Sequence, residues 1–274
     1  MPSIAGASEL ACPACAAARP EPAIGRLAHC KVCTHSWLPV TATAQQAAEK
    51  AIYQRHYPGY KADPRLDEAF GKLIKQYLAP VLPAGSDILD VGCGGGAFLE
   101  AARSAGYQVR GIDVSEDAAQ LCRERGHDAE AADYLAYGQP SSLGAVTMWD
   151  VLEHLRNPAE FLEQTARLLA PGGVLLAKVP TYGRLSIQIA DQFSGARGAL
   201  LGAPDHIQYY SPKSLNALLK RSGLHFDNQE LASQGMRTAP TGGSIKRQIM
   251  RRAKALIASL SGEGNQIVFA RKPG

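Results

Sequence analysis

The sequence predicts an α/β fold, a mostly parallel sheet covered by helices, with a small metal-stapled unit ahead of it. Three observations carry this. Apolar strand-like runs near 87–91, 108–114, 128–132, 145–149 and 173–179 alternate with helical patterns; the first run passes through a glycine-rich turn directly into a helix; and four of the six cysteines form two Cys-x2-Cys pairs near the N-terminus. Alternation of this kind gives parallel strands with right-handed crossovers, and ligands gather at the carboxyl edge of the strands. With 274 residues and 46% apolar content, the chain can bury one full core and carry a satellite besides.

The satellite is expected over residues 1–42. Cys12 and Cys15 make one pair and Cys30 and Cys33 the other, so two tight knuckles can offer the four thiolates that a structural zinc prefers. Four sulfurs close the shell and leave no place for a catalytic water, although His29 and His35 lie near enough in sequence to substitute. Residues 1–11 lack the basic start and apolar stretch of a secretory signal. The expected location is therefore cytoplasmic, where thiols stay reduced and a disulfide set is disfavoured.

Next come an Ala- and Gln-rich stretch from Thr41 to Lys50 and a segment holding Tyr53, Tyr57 and Tyr60. Helical apolar spacing then follows at Leu66, Phe70, Leu73, Ile74 and Tyr77. The first core strand reaches Asp90, turns through Gly92, Gly94, Gly95 and Gly96, and opens into a helix with Phe98, Ala101 and Ala102 on one face. Glycine permits positive φ and close approach of a ligand, while the N–H groups of a helix start favour a negative group. The next strand ends at Asp113, twenty-one residues beyond Gly92, where a carboxylate can accept both hydroxyls of a ribose. Glycines alone fit a dinucleotide enzyme equally, because Gly92, Gly94 and Ala97 satisfy its spacing. Asp90 decides: a carboxylate there would repel a pyrophosphate but suits a cofactor that carries an ammonium, as S-adenosylmethionine (SAM) does.

On these residues the chain resembles the class I SAM-dependent methyltransferases, with Leu89 to Gly96 as their first motif and Asp113-Val114-Ser115 as their second acidic strand end. Residues 145–155, the Leu168-Leu169-Ala170-Pro171-Gly172-Gly173 turn, and Asp205 to Pro212 with its Leu215/Leu218/Leu219 helix extend the resemblance to a bacterial subgroup with an N-terminal zinc ribbon and a UbiG-like domain. Where that family carries Phe-Asp before its fourth strand, this chain has Leu143-Gly144. The resemblance implies a Rossmann-like sheet whose last strand, Gln266 to Arg271, is antiparallel. It also implies a helical, aromatic lid at 43–80 and a methyltransferase domain at 81–274. In the lid region the tyrosines could equally pack the ribbon onto the main domain.

The expected cofactor wall comprises Asp90, Gly92, Cys93, Gly94, Asp113, Val114, Asp133, Tyr134 and Trp149. Asp133 and Tyr134 are set to meet the adenine, though an Asp in such a loop commonly serves its turn. Cys93 and Cys122 read as small buried thiols. Methyl transfer from a sulfonium needs alignment and dryness more than acid–base machinery, but a hydroxyl acceptor benefits from a base. His206 is the candidate, with His154 and Glu153 beside it in strand-edge loops.

The expected partner is a small-molecule acceptor methylated on oxygen: a sugar, a glycolipid or a secondary metabolite. Methylation of tRNA or rRNA is the enzyme alternative, against which residues 1–42 lack a basic stripe interleaved with aromatics. A non-catalytic SAM- or nucleic-acid-binding module is the alternative from another class. The net charge of +4 demands neither nucleic acid nor membrane. Residues 181–210 break into Gly, Ser and Ala, as a substrate lid would. Residues 245–260 carry Lys246, Arg247, Arg251, Arg252 and Lys254 opposite Ile245, Ile249, Leu256 and Leu260. That pattern suits a packed helix with a solvated basic face, or peripheral contact with an anionic membrane or charged substrate.

Overall fold

The computed structural model describes residues 11–18, 21–22, 27–40, 64–183, 187–188, 201, 205–231 and 264–274. The basic segment 245–260, most of the expected insertion 181–210, and the part of the 43–80 segment before residue 64 lie outside the described residues.

Three two-residue strands open the chain: β1 (Glu21–Pro22), β2 (Ala28–His29) and β3 (Ser36–Trp37). Helix α1 (Pro64–Leu73) follows and widens into a π-helical turn, Ile74–Leu78, that lets Ile74, Tyr77 and Leu78 all face inward. The core elements are β4 (Asp87–Val91), α2 (Ala97–Ser104), β5 (Gln108–Asp113), α3 (Glu116–Glu124), β6 (Ala129–Ala131), β7 (Leu143–Trp149), α4 (Pro158–Leu168), β8 (Leu169–Thr181), β9 (Gln208–Tyr209), α5 (Pro212–Arg221), β10 (His225–Leu231) and β11 (Gly264–Arg271). Local signals start the helices: Ser115 caps α3, and Ser211 makes a reciprocal capping box with Ser214 on α5, with Pro212 at its first turn.

Seven strands form the main sheet in the order β10-β11-β8-β7-β4-β5-β6. The neighbours from β8 to β6 pair in parallel, and β11 inserts antiparallel between β10 and β8. The antiparallel last strand is therefore as the sequence predicts. Strand period puts alternate residues on opposite faces. Ile88, Val174 and Leu176 join Phe70, Tyr77 and Phe98 on the α1/α2 side, while Leu89, Leu175 and Ala177 join Leu162, Leu215 and Leu219 on the α4/α5 side.

Two boundaries differ from the sequence reading, each for a visible reason. Strand β8 begins at Leu169 rather than near 173, because Leu169 already pairs with Leu143 before the register shifts at Gly144 and Gly173. Gly144 itself, the departure from the family pattern, has a packing role: a Cβ there would lie 2.7 Å from Leu82 Cδ1 and 3.3 Å from Ser86 Cβ. The N-terminal unit is also less separate than a 1–42 module implies. Strand β3 pairs with β9, giving a four-stranded sheet β1-β2-β3-β9, and Cys12, Cys30, Cys33 and Trp37 share one core with Leu152, Tyr210 and Leu215. No helix among the described residues is long and apolar enough to cross a membrane.

Candidate active site at the carboxyl edge of the sheet

The glycine turn does what its composition requires. Gly92, Gly94 and Gly96 hold φ of +72°, +52° and +79°, and a Cβ at Gly92 would come within 2.8 Å of Val151 Cγ2. The backbone N–H groups of Gly92 and Cys93 both donate to the Ile112 carbonyl, which ties the turn to the neighbouring strand. Asp113, at that strand's end, accepts from Gly94 N at 3.1 Å and from Ser115 N at 3.0 Å. The carboxylate is thus oriented by backbone donors on both oxygens.

Asp90 is 1% exposed and accepts a 2.6 Å hydrogen bond from the Thr147 hydroxyl. Burial pushes its pKa up to about 7, with Asp113 adding repulsion, while Thr147 and the nearby Trp149 indole pull the other way. Trp149 packs edge-on to Phe70 at 4.8 Å and against Phe98 at 5.3 Å, so an aromatic cluster from α1 and α2 lies beside this carboxylate. Val114 is 60% exposed at the end of β5.

Asp133 and Tyr134 part company. The Asp133 side chain accepts from Leu135 N and serves its turn; Tyr134 is buried, its hydroxyl bonded to Thr165 at 2.8 Å and its ring against Phe161. The exposed apolar side chain here is Leu135. Cys93 and Cys122 are both buried, their sulfurs 3.8 Å apart.

A second group assembles after β7. Asp150 adopts φ +56°, uncommon for a residue with a Cβ, and pairs with the nearly buried Lys178 of β8. Glu153 is fully buried and neither carboxylate oxygen has a hydrogen-bond partner among the described residues. Burial, aided by the Asp150 charge, holds its pKa well above the usual carboxylate range. His154 places Nδ1 2.8 Å from the Asp205 carbonyl; a carbonyl only accepts, so Nδ1 carries the proton. His206 places Nδ1 2.7 Å from the Tyr182 hydroxyl, whose oxygen also lies 3.2 Å from the Leu201 carbonyl. The rings meet edge to face at 4.9 Å, and His206 Nε2 lies 3.9 Å from Glu153 Oε1. The structure thus brings His206 against the adjacent pair Glu153 and His154, which the sequence set in a separate loop. Tyr182, Asp150 and Lys178 were not singled out there, although a lysine inside an apolar strand is a signal.

The N-terminal unit reaches this group directly. Leu38 N donates to the Ile207 carbonyl and Ile207 N to the Glu153 carbonyl. His35 is fully buried between Trp37 and Tyr210, and bonds Gln208 Oε1 at 2.8 Å, while Gln208 Nε2 donates to the Leu155 carbonyl. Burial lowers the His35 pKa to about 4, so this ring is neutral. His29 bonds Ser36. Neither histidine belongs to the cysteine cluster. The sulfurs of Cys12, Cys15, Cys30 and Cys33 all lie within 4.8 Å of one another, with Cys12–Cys33 and Cys15–Cys30 at 3.6 Å. A tetrahedral zinc with bonds of about 2.3 Å needs sulfurs about 3.8 Å apart, so the set fits one.

A family model for a methyltransferase domain matches residues 54–229. The ubiquinone biosynthesis O-methyltransferase of Methylococcus capsulatus is 41% identical over 159 residues, 54% of this chain and 66% of that protein. Its namesake from Xanthomonas axonopodis pv. citri is 32% identical over 158 residues, 53% of this chain and 65% of that one, so the chain spans just under two thirds of these relatives. The 1,6-didemethyltoxoflavin-N1-methyltransferase of Burkholderia thailandensis, solved with bound 1,6-didemethyltoxoflavin and S-adenosylhomocysteine, superposes with a TM-score of 0.57. It covers 90% of this chain and 99% of its own at 14% identity, a likeness of fold alone.

Proposed function

Because the chain belongs to the class I SAM-dependent methyltransferases, we propose that it transfers a methyl group from SAM to an oxygen of a small-molecule acceptor. The observation that carries this is the coupled pair of carboxylates on adjacent strands, Asp90 and Asp113, on either side of a turn with three positive-φ glycines. Asp113 takes the ribose hydroxyls, Asp90 the ammonium of the methionine part, and the backbone of Gly92, Cys93 and Gly94 admits the ligand without a Cβ in its way. Val114, just past β5, and Leu135, in the short helix after β6, are exposed and offer apolar sides to the adenine.

On the acceptor side, His206 Nε2 is the proton acceptor for the hydroxyl, with His154 and Glu153 beside it. The oxygen attacks the methyl carbon, the sulfur leaves with its electrons, and the products are a methyl ether, S-adenosylhomocysteine and one proton. The protein supplies alignment and a water-poor cleft. A sugar, a glycolipid or a secondary metabolite remains our reading of the acceptor; the named relatives support small-molecule oxygen chemistry. We place one structural zinc on Cys12, Cys15, Cys30 and Cys33, as a staple with no part in transfer.

Calorimetry with SAM, S-adenosylhomocysteine and NAD tests the cofactor: micromolar binding of the first two and none of NAD is expected, and the reverse sinks the proposal. Methyl-labelled SAM incubated with polar, lipid and RNA fractions of a lysate then identifies the acceptor class. Label appearing in RNA alone would overturn the small-molecule reading.

A further inference from the structure

We propose that Cys93 and Cys122 form an oxidisable thiol pair, which hydrogen peroxide closes to a disulfide and which then draws the glycine turn out of the shape that receives SAM. This rests on the methyltransferase reading and deepens it by adding a control.

The two sulfurs meet beneath the glycine turn, 3.8 Å apart. Cys93 lies in the turn itself, between Gly92 and Gly94, while Cys122 lies in α3 and its thiol also donates to the Gly94 carbonyl at 3.3 Å. Two glycines clear the space that the sulfurs occupy. A Cβ at Gly111 of β5 would lie 2.8 Å from Cys93 Sγ, and one at Gly96 would lie 3.1 Å from Cys122 Sγ. Among the described residues, no third metal-binding side chain joins the pair within 4.8 Å, unlike the four sulfurs of the N-terminal unit. Two thiols in contact without further ligands suit oxidation better than metal binding.

Cys122 is fully buried, whereas Cys93 is 6% exposed in the turn, so peroxide meets Cys93 first. Its sulfur attacks one peroxide oxygen, the oxygen–oxygen bond breaks, and the products are a sulfenic acid and one water. The Cys122 sulfur then attacks the Cys93 sulfur. The sulfur–sulfur bond forms, the sulfur–oxygen bond breaks, and hydroxide leaves with the Cys122 proton as a second water. Two thiols are thus oxidised by two electrons and one peroxide is reduced. The Cys122 hydrogen bond, burial and the Asp90 and Asp113 charges hold the Cys93 thiol above its usual range, so the pair answers to sustained oxidant rather than to traces.

A disulfide is about 2.05 Å long, so the sulfurs must close by about 1.8 Å. Helix α3 is fixed by its own backbone bonds and by the buried Ala118 and Ala119, whereas the glycines on both sides of Cys93 hold positive φ and allow other conformations. The turn therefore yields. Its movement pulls on the Cys93 N–H bond to the Ile112 carbonyl and on the Gly94 N–H bond to Asp113, each 3.1 Å, and the carboxylate meant for the ribose loses an orienting donor.

The test treats the zinc-loaded full chain with graded hydrogen peroxide, with and without SAM. Free thiols are then alkylated, disulfides are mapped by peptide mass spectrometry, and zinc content and SAM affinity are measured on the same samples. A Cys93–Cys122 linkage is expected while zinc is retained, slowed when SAM covers the turn. SAM affinity should fall by about tenfold or more, the scale of one lost hydrogen bond to a carboxylate, and recover on reduction. Cys122→Ser should bind SAM as the reduced wild type does and keep that affinity under peroxide; should it not fold, Cys122→Ala takes its place. Absence of the linkage at every peroxide level that leaves the zinc in place overturns the proposal. So does a linkage that leaves SAM affinity unchanged, or equal loss of SAM affinity in wild type and Cys122→Ser. Failure of the reduced chain to bind SAM would instead remove the methyltransferase reading, while the peptide map still decides whether the pair closes.

Discussion

The two halves of the candidate site are built on different principles. On the cofactor side, Asp90, the glycine turn and Asp113 fall within one strand-turn-helix-strand unit, and adjacent strands plus backbone donors hold them in place. On the acceptor side, Glu153 and His154 follow β7, Tyr182 follows β8, and His206 precedes β9, which is in turn paired with β3 of the cysteine-bearing unit. The first half is mostly local, its main long-range tie being the Thr147 hydroxyl of β7 on Asp90. Assembly from distant segments makes the second half depend on every segment that braces it.

The largest effect that would sharpen this contrast is His206→Ala. Turnover is expected to fall by roughly 10²–10⁴-fold, the scale of a lost proton acceptor, with SAM affinity nearly unchanged. Single-turnover kinetics beside calorimetry separate the two, and a loss of SAM binding would mean that the halves are not independent. His154→Ala, the control, should cost less.

Cys30→Ser attacks the brace instead of the site. Loss of one thiolate should release the zinc and loosen β3, and with it Gln208 and His206, so turnover should drop by about 10–100-fold while SAM affinity holds. Metal analysis alongside activity checks this. A zinc-free variant with full turnover would make the unit an independent module after all.

Damage to the cofactor half should read the opposite way. Asp113→Ala is expected to weaken SAM by about 1.5–3 kcal/mol, since hydrogen bonds to a charged group are lost. Asp90 predicts a pH limb. Its carboxyl, raised to about 7, must be ionised to pair with an ammonium, so SAM affinity should fall as pH drops below about 7, approaching tenfold per unit. Asp90→Asn should flatten that limb. The smallest effect belongs to Thr147→Val: without the hydroxyl that favours the ionised form, the limb should move to higher pH and SAM weaken several-fold near neutrality.

What was legible in the sequence follows the same division. The glycine turn, Asp90, Asp113 and the cysteine pairs were readable because each depends on residues close in sequence, where φ limits, strand period and knuckle spacing act directly. Tyr134 misled: it stands next to a loop carboxylate, but the short helix at 134–136 turns its ring into the core and leaves Leu135 exposed. His154, His206 and Glu153 could be named as candidates but not joined, since no local pattern says that two loops 52 residues apart meet.

The sequence by itself determined the fold class, the glycine turn and the sulfur cluster, because short-range sterics and spacing suffice for them. Only the tertiary structure decided that the buried Glu153 carboxyl has no hydrogen-bond partner among the described residues, that His154 bonds the Asp205 carbonyl and His206 the Tyr182 hydroxyl, and that the N-terminal unit shares a sheet with β9. Burial and hydrogen-bond completion are properties of what surrounds a residue, and those surroundings come from packing segments that are remote along the chain.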